Sequence, residues 1–333
     1  MLGRKAQFTM IEAVELSEIS VPMPWQSHSW DQLNTQIQDE KLPHALLLVG
    51  PANIGKNRLA RSLARLLLCQ SPSAGHNCGQ CHSCEMSRAG THGDFRWLQP
   101  EEKSRVIKID QIREVIDFSN KTASFGRRKV IVFSPAESMN ANAANALLKA
   151  LEEPAQDTHL ILVCHRLQGL SATIRSRTAL IRFPLPSPEQ SLDWLDGLTQ
   201  KREESEKLLK FANGCPMLAA QIYTQGDVQA ASAIPAALDG LLAGRTSVPQ
   251  LVALLGQLAL DEALAVLVTY LQMGIRSASL VGMTAQRTRR FFLILDEVGR
   301  QQRAVVAGSN PNPQLLLESL VAHLHKELGE ARP

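Results

Sequence analysis

The chain has 333 residues, 44% of them apolar, enough for about two domains with cores of their own. Its formal net charge of +3 is too mild to mark a nucleic-acid binder by itself, and aromatics at 5% argue against stacking platforms for single strands. No run of 18 apolar residues occurs, and Glu12, Glu15 and Glu18 interrupt the N-terminal segment. The expectation is a cytoplasmic chain with neither a membrane span nor a secretory signal.

Residues 1–22 read as an appended extension, and PMPWQSHSWDQL, from Pro22, as the beginning of a domain. ALLLVG (45–50) is a short buried-strand run that ends in glycine. GPANIGKN (50–57) follows. Gly50, Gly55 and Lys56 stand where a phosphate-binding loop needs them, between a strand and a helix. In such a loop the backbone N–H groups and the helix N-terminus hold phosphates. The next position should carry the hydroxyl that holds Mg²⁺, and here it is Asn57, a neutral amide and a poorer ligand for that ion. KNRLARSLARLLLC is helical, with Leu59, Leu63, Leu66 and Leu67 on one face.

Cys69, Cys78, Cys81 and Cys84 come next, in a C-x8-C-x2-C-x2-C spacing. In a cytosolic chain such a cluster points to a metal and not to disulfides. Four thiolates fill a tetrahedral Zn²⁺ shell and leave no open position, so the site is read as structural; an iron–sulfur cluster and four reduced loop thiols are the less favoured alternatives. His76, His82 and His92 lie close by and are read as solvated side chains, not ligands.

DFRWLQ (94–99) is a candidate strand, and IDQIREVIDFSNK (109–121) a helix with Asp110 as its N-cap. GRRK (126–129) is a short basic turn. KVIVF (129–133) is a second buried strand. It should run into acids that hold the metal and activate water, but it runs into Ser134 and Pro135, and Glu137 comes two residues late. A loop kept for its backbone shape is favoured over a working ATPase, and binding of nucleotide without hydrolysis stays open. ANAANALLKALEEP is a helix closed by Pro154, with Glu152 and Glu153 at the end where the helix dipole disfavours acids; partner cations across a subunit or domain contact are expected, with tolerated surface acids as the alternative. HLILVC (159–164) and ALIRF (179–183) are further strands. Strands alternating with helices argue for an open parallel sheet with helices on both faces.

After PLPSPEQ (184–190) no convincing strand returns. The remaining pieces are helical: LDWLDGL, SEKLLKFAN, the alanine-rich 228–243, a stripe of Leu251, Leu254, Leu255 and Leu258, a helix capped by Asp261, a helix over 287–302 carrying Phe291, Phe292, Leu295 and Val298, and a last helix begun by Asn312-Pro313. Its stripe is Leu317, Leu320, Val321, Leu324 and Leu328.

NALLKALEEP (145–154) followed by TIRSRT (173–178) resembles the clamp-loader branch of the AAA+ proteins. The cysteine module placed directly after the P-loop helix, with THGDFRWLQPE behind it, resembles bacterial clamp-loader subunits, and the similarity runs from about Trp25 through the helical tail, nearly the whole chain. The ATPase members keep Thr after the loop lysine, Asp-Glu at the second strand, a sensor threonine and a lid arginine. Here the first two positions hold Asn57 and Ser134-Pro135, and the last two fall near His165 and Met217. The Ser-Arg-Cys triplet of the family survives as Ser176, Arg177 and Thr178.

The resemblance therefore implies a P-loop NTPase-like α/β domain over 23–185 with a zinc module at 69–92, a small helical lid over 186–228 and an all-α collar domain over 229–333. It implies a subunit of a DNA polymerase holoenzyme that has no ATPase activity of its own. Its Arg177 would act in trans on a neighbour's ATP, beside gamma/tau and delta subunits, and the sliding clamp and primer-template DNA would be reached through the complex. An active ATPase with unusual ligands, and a zinc-bearing nucleic-acid-binding module with a vestigial P-loop, are the competing readings.

Overall fold

A computed structural model describes residues 18–101, 104–125, 128–224, 228–281, 284–306 and 309–329. Most of the 1–22 extension, and Gly126 and Arg127 of the basic turn, lie outside the described residues. The chain divides into two compact units. One runs to Arg202 and includes Gly214–Gln221; the other comprises Glu203–Asn213 and the chain from Ile222 onward.

In the first unit the elements are, in order, α1 (Ser27–Gln38), β1 (Ala45–Val49), α2 (Lys56–Leu68), α3 (His82–Arg88), β2 (Phe95–Leu98), α4 (Ile109–Ser119), β3 (Lys129–Phe133), α5 (Ala141–Glu152), β4 (Thr158–Cys164), α6 (Ala172–Arg175), β5 (Ala179–Arg182) and α7 (Pro188–Thr199). The five strands make one sheet in the order β2-β3-β4-β1-β5, and every neighbouring pair is parallel. The central strands are apolar at nearly every position because both faces are covered. Leu47, Val49, Ile131, Phe133, Leu160 and Leu162 point to one face and pack with Ile112 and Val115 of α4 and Leu147 and Leu151 of α5. The alternate residues Leu46, Leu48, Val130, Val132, Ile161 and Val163 meet Trp30 and Leu33 of α1 and Leu59, Leu63 and Leu67 of α2. The period of two along each strand thus sorts one apolar run into two cores.

Helix starts follow local chemistry. Asn140 caps α5 by accepting the Ala143 N–H at 2.8 Å, and Ser187 caps α7 with Pro188 at the first position. The expected cap of α4 moves: Asp110 lies in its first turn, the N-cap is Lys108, and the Gln111 side chain accepts the Lys108 N–H at 2.9 Å. Lys129, read as part of a basic turn, is buried. It begins β3 and its ammonium donates to the carbonyls of Phe118 and Lys121.

The following helices are α8 (Arg202–Phe211), α9 (Pro216–Thr224), α10 (Val228–Leu242), α11 (Val248–Leu255), α12 (Leu260–Val281), α13 (Ala285–Val306) and α14 (Pro313–Leu328). The second unit has a core built from Leu238, Leu251, Leu255, Leu264, Leu267, Leu271, Phe291, Ile294, Val298 and the α14 stripe from Leu317 to Leu328. Asn312 caps α14 and accepts the Leu315 N–H at 3.2 Å. Asp261 falls inside the first turn of α12 and is not its cap. Along α13 the expected Phe291 and Val298 are buried and Leu295 packs against the same core, but Phe292 is 54% exposed and Ile294 takes its place. Among the described residues no helix is long and apolar enough to cross a membrane.

Candidate functional site

The P-loop lies at the C-terminal edge of the sheet, where a strand-to-helix turn in an open parallel sheet places ligand sites. Gly50 packs so tightly that a Cβ there would collide with the Phe183 carbonyl oxygen, and Gly55 has φ +86 with Met23 against it. Both glycines are therefore demanded by the backbone, with or without a phosphate. Lys56 is buried, and its ammonium donates to the Gly50 carbonyl at 2.8 Å and to the Pro51 carbonyl. The Ile54 carbonyl accepts from Trp25 Nε1 at 2.9 Å and from Gln26 Nε2 at 3.2 Å. The Met217 N–H donates to the Asn53 carbonyl at 3.2 Å. The loop is thus held in shape by this chain's own donors.

The position of the metal hydroxyl is closed in the same way. Asn57 Oδ1 accepts a hydrogen bond of 2.6 Å from Ser134 Oγ. An amide and a hydroxyl meet directly where an ATPase would set a hydroxyl and a carboxylate on either side of Mg²⁺. Glu137 does not supply the missing acid: its Oε1 accepts the backbone N–H groups of His165 at 2.9 Å and Arg166 at 3.2 Å, after the end of β4. His165 itself is pushed down to about 3 by burial and by the Lys56 and Arg166 charges, so it is neutral near pH 7.

The four cysteines converge. All four Sγ atoms lie within 4.8 Å of one another. The Cys69–Cys81 and Cys78–Cys84 separations are both 3.9 Å, and Cys69–Cys84 is 3.7 Å. A tetrahedron with Zn–S bonds of about 2.3 Å has edges of about 3.8 Å, so the donor set fits a Cys₄ metal shell. Each ligand comes from a definite place: Cys69 ends α2, Cys78 is in the intervening loop, Cys81 is the N-cap of α3, and Cys84 is in its first turn. The sulfurs also receive backbone N–H groups, from Cys78 to Cys69 at 3.2 Å and from Cys81 to Cys78 at 3.4 Å. Burial pushes the Cys69 thiol up to about 12, while the N–H groups of Gln80 and Cys81 pull Cys78 down to about 6. Of the neighbouring histidines His82 is exposed as expected, but the other two are not simply solvated. His92 is buried and accepts the Asp94 N–H at 3.0 Å. His76 stacks on Trp30 at 5.5 Å. They pack the module and stand outside the sulfur cluster.

Sequence reasoning missed the strap that holds this module to the P-loop helix. Residues 18–21 run between them. Asn77, buried beside Cys78, accepts the Ser20 N–H at 2.8 Å and donates to the Glu18 carbonyl at 2.8 Å. Arg65 of α2 donates to the same carbonyl at 3.0 Å and to Ser20 Oγ, and Arg58 donates to the Val21 carbonyl at 3.0 Å. Little in the composition of 18–21 announces this role, because most of the contacts are made by backbone atoms.

Arg177 sits at the other candidate position, between α6 and β5. Its Nε donates to Glu152 Oε1 at 2.7 Å, its Nη2 lies 2.7 Å from the same oxygen, and its Nη1 donates to the Thr173 carbonyl and Ser176 Oγ, both at 3.2 Å. Its side chain is 37% exposed. The acid at the end of α5 therefore has a cation partner within its own unit, not across a subunit contact. Thr178, at the lost cysteine, donates from its hydroxyl to the Ile174 and Arg175 carbonyls at 3.1 and 3.3 Å, which closes α6.

Residues 25–187 match the sequence profile of the family described as "DNA polymerase III, delta subunit". The chain is 45% identical over 205 residues to DNA polymerase III subunit delta′ of Pseudomonas aeruginosa, a match covering 61% of this chain and 62% of that protein. It is 35% identical over 206 residues to the delta′ subunit of Escherichia coli, covering 61% of each. It is 34% identical over 178 residues to that of Bacillus subtilis, covering 50% of this chain and 53% of that one. The matched stretch thus spans about three-fifths of the length of the first two of these relatives. The resemblance to the delta′ subunits of bacterial DNA polymerase III is shown over that stretch.

Proposed function

We propose, with this resemblance to the delta′ subunits as premise, that the chain is a non-hydrolysing subunit of a bacterial clamp loader. It works in the cytoplasm beside gamma/tau and delta subunits and helps load the sliding clamp on primed DNA. The observation that carries the reading is the Asn57–Ser134 hydrogen bond of 2.6 Å. It occupies the place of the metal ligands with two groups that neither hold Mg²⁺ well nor activate water. With an amide and a hydroxyl at the place of the metal ligands, the chemistry this chain contributes is Arg177, offered to ATP on a neighbouring subunit. Measured arginine fingers in GTPase systems contribute about 10³–10⁵ in rate, because the guanidinium stabilises charge on the transferred phosphoryl group.

In this reading Gly50, Gly55, Lys56 and Asn57 are scaffold. Cys69, Cys78, Cys81 and Cys84 hold a structural Zn²⁺, which supplies folding energy to the module and no catalytic step. The helices over 186–228 act as lid and those over 229–333 as the collar through which subunits associate. The test is Arg177→Ala in the reconstituted loader. Assembly should persist while clamp- and DNA-stimulated ATP turnover falls by about three orders of magnitude, the lower end of the measured range for such arginines. Unchanged turnover would refute the assignment of the finger. Steady ATP turnover by the isolated chain that disappears on Lys56→Ala would refute the non-hydrolysing role.

A further inference from the structure

We propose that Glu152 is the positioning residue of Arg177, holding the guanidinium edge-on so that its remaining face is presented to the neighbour's nucleotide; this rests on the reading of Arg177 given above. The bonds are divided. One carboxylate oxygen, Glu152 Oε1, takes both Nε at 2.7 Å and Nη2 at 2.7 Å. The Nη1 group is turned back onto its own segment, to the Thr173 carbonyl and Ser176 Oγ. A guanidinium carries five N–H groups. This arrangement engages the Nε–H, the two on Nη1 and one on Nη2, which leaves an Nη2–H at the exposed tip. A planar cation tied along two edges has its orientation set before a phosphate arrives, so less freedom is lost on engagement.

Stability does not account for the pair. Glu152 closes α5, where the helix dipole disfavours a carboxylate by about 0.3–1 kcal/mol. Both side chains are more than a third exposed, and such ion pairs contribute only about 0–1 kcal/mol. The two effects offset each other, so the geometry is the part that remains to be explained. Because a single oxygen serves both Arg177 contacts, the amide oxygen of Gln can reproduce them without the charge, whereas Asp keeps the charge and withdraws the oxygen by one methylene.

The experiment is a set of variants in the reconstituted loader, with assembly checked by gel filtration and stimulated ATP turnover as the readout. Glu152→Ala and Glu152→Asp should lower kcat about tenfold with KM unchanged, and Glu152→Gln should stay within about twofold of wild type, the pattern of lost orientation rather than lost binding. In an Arg177→Ala background, Glu152→Ala should have no further effect. Wild-type turnover in Glu152→Ala, loss in Glu152→Gln with Glu152→Asp intact, or the same fold loss with and without Arg177 would each overturn the proposal. Wild-type turnover in Arg177→Ala alone is a different failure, that of the finger itself.

Discussion

Asn77→Ala is the sharpest test of how the cysteine module is fastened to the rest of its unit. Asn77 is 1% exposed, and its side chain bridges the strap and the cluster: Oδ1 to the Ser20 N–H at 2.8 Å, Nδ2 to the Glu18 carbonyl at 2.8 Å, and Nδ2 to Cys84 Sγ at 3.5 Å. Truncation removes all three. The Glu18 carbonyl keeps Arg65 as a partner at 3.0 Å, so it is not orphaned. The Ser20 N–H has no second acceptor among its described contacts, and leaving a buried donor unsatisfied costs about 1–3 kcal/mol. Adding about 1 kcal/mol for the lost bond to Glu18 gives a destabilisation of about 2–4 kcal/mol. Urea unfolding of the full chain, followed by tryptophan fluorescence to which Trp30, stacked on His76 of this module, contributes, reads the change. Competition with a chelator should show faster metal loss in the same variant, since metal binding and folding of the module are one equilibrium. Destabilisation below about 0.5 kcal/mol, the range of ordinary surface substitutions, would refute the bridging role.

Other perturbations separate the remaining claims. Cys81→Ser should abolish the one equivalent of zinc expected by elemental analysis of purified protein, and zero zinc in freshly purified wild type would refute the metal assignment. Gly50→Ala should destabilise by about 3 kcal/mol or more, because the collision is with backbone and cannot be relieved by a rotamer change; a melting temperature within a degree of wild type would contradict it. His165 makes stability pH-dependent. Its folded value, about 3, lies below the unfolded value of about 6.5, so the unfolded chain takes up the proton first and stability falls as pH drops below 6.5. Between pH 6.5 and 5 that is about 2 kcal/mol, and His165→Gln should remove this part of the slope; parallel pH profiles of the two proteins would refute it.

Much of the first unit was legible because its signals are local and redundant. A buried strand flanked by a glycine loop and an amphipathic helix reads correctly from Ala45 to Leu68, since strand burial on both faces, loop glycines and helix periodicity all agree. The cysteine spacing foretold the convergence of Cys69, Cys78, Cys81 and Cys84, because two-residue gaps leave sulfurs few other places to go. Periodicity misplaced single residues where the edge of a helix face is set by its neighbours. On α13 the spacing of Phe291, Phe292, Leu295 and Val298 is helical, yet only packing decides that Ile294 is buried and Phe292 is not. Capping failed at α4 for a similar reason: Asp110 is a good capping residue by type, but a side-chain oxygen three residues on, from Gln111, satisfies the Lys108 N–H and starts the helix two positions earlier.

The site shows a different limit. Individual losses at Asn57 and Ser134 were readable as departures from a pattern, but 77 residues separate them, and no spacing predicts that they hydrogen-bond. That contact changes the meaning of the losses. Two independent gaps could each be filled by water and a weakly held ion. Two groups bonded to one another at 2.6 Å compete with any ion for the same space, so recovering metal binding requires both to change. The two substitutions should therefore be non-additive. Asn57→Thr or Ser134→Asp alone should leave nucleotide and Mg²⁺ binding at the level of the parent chain, and only the double variant should raise it, measured by calorimetric titration with ATP in the presence and absence of Mg²⁺. Equal, additive gains from each single substitution would show that the two positions act separately and that their contact does not close the site.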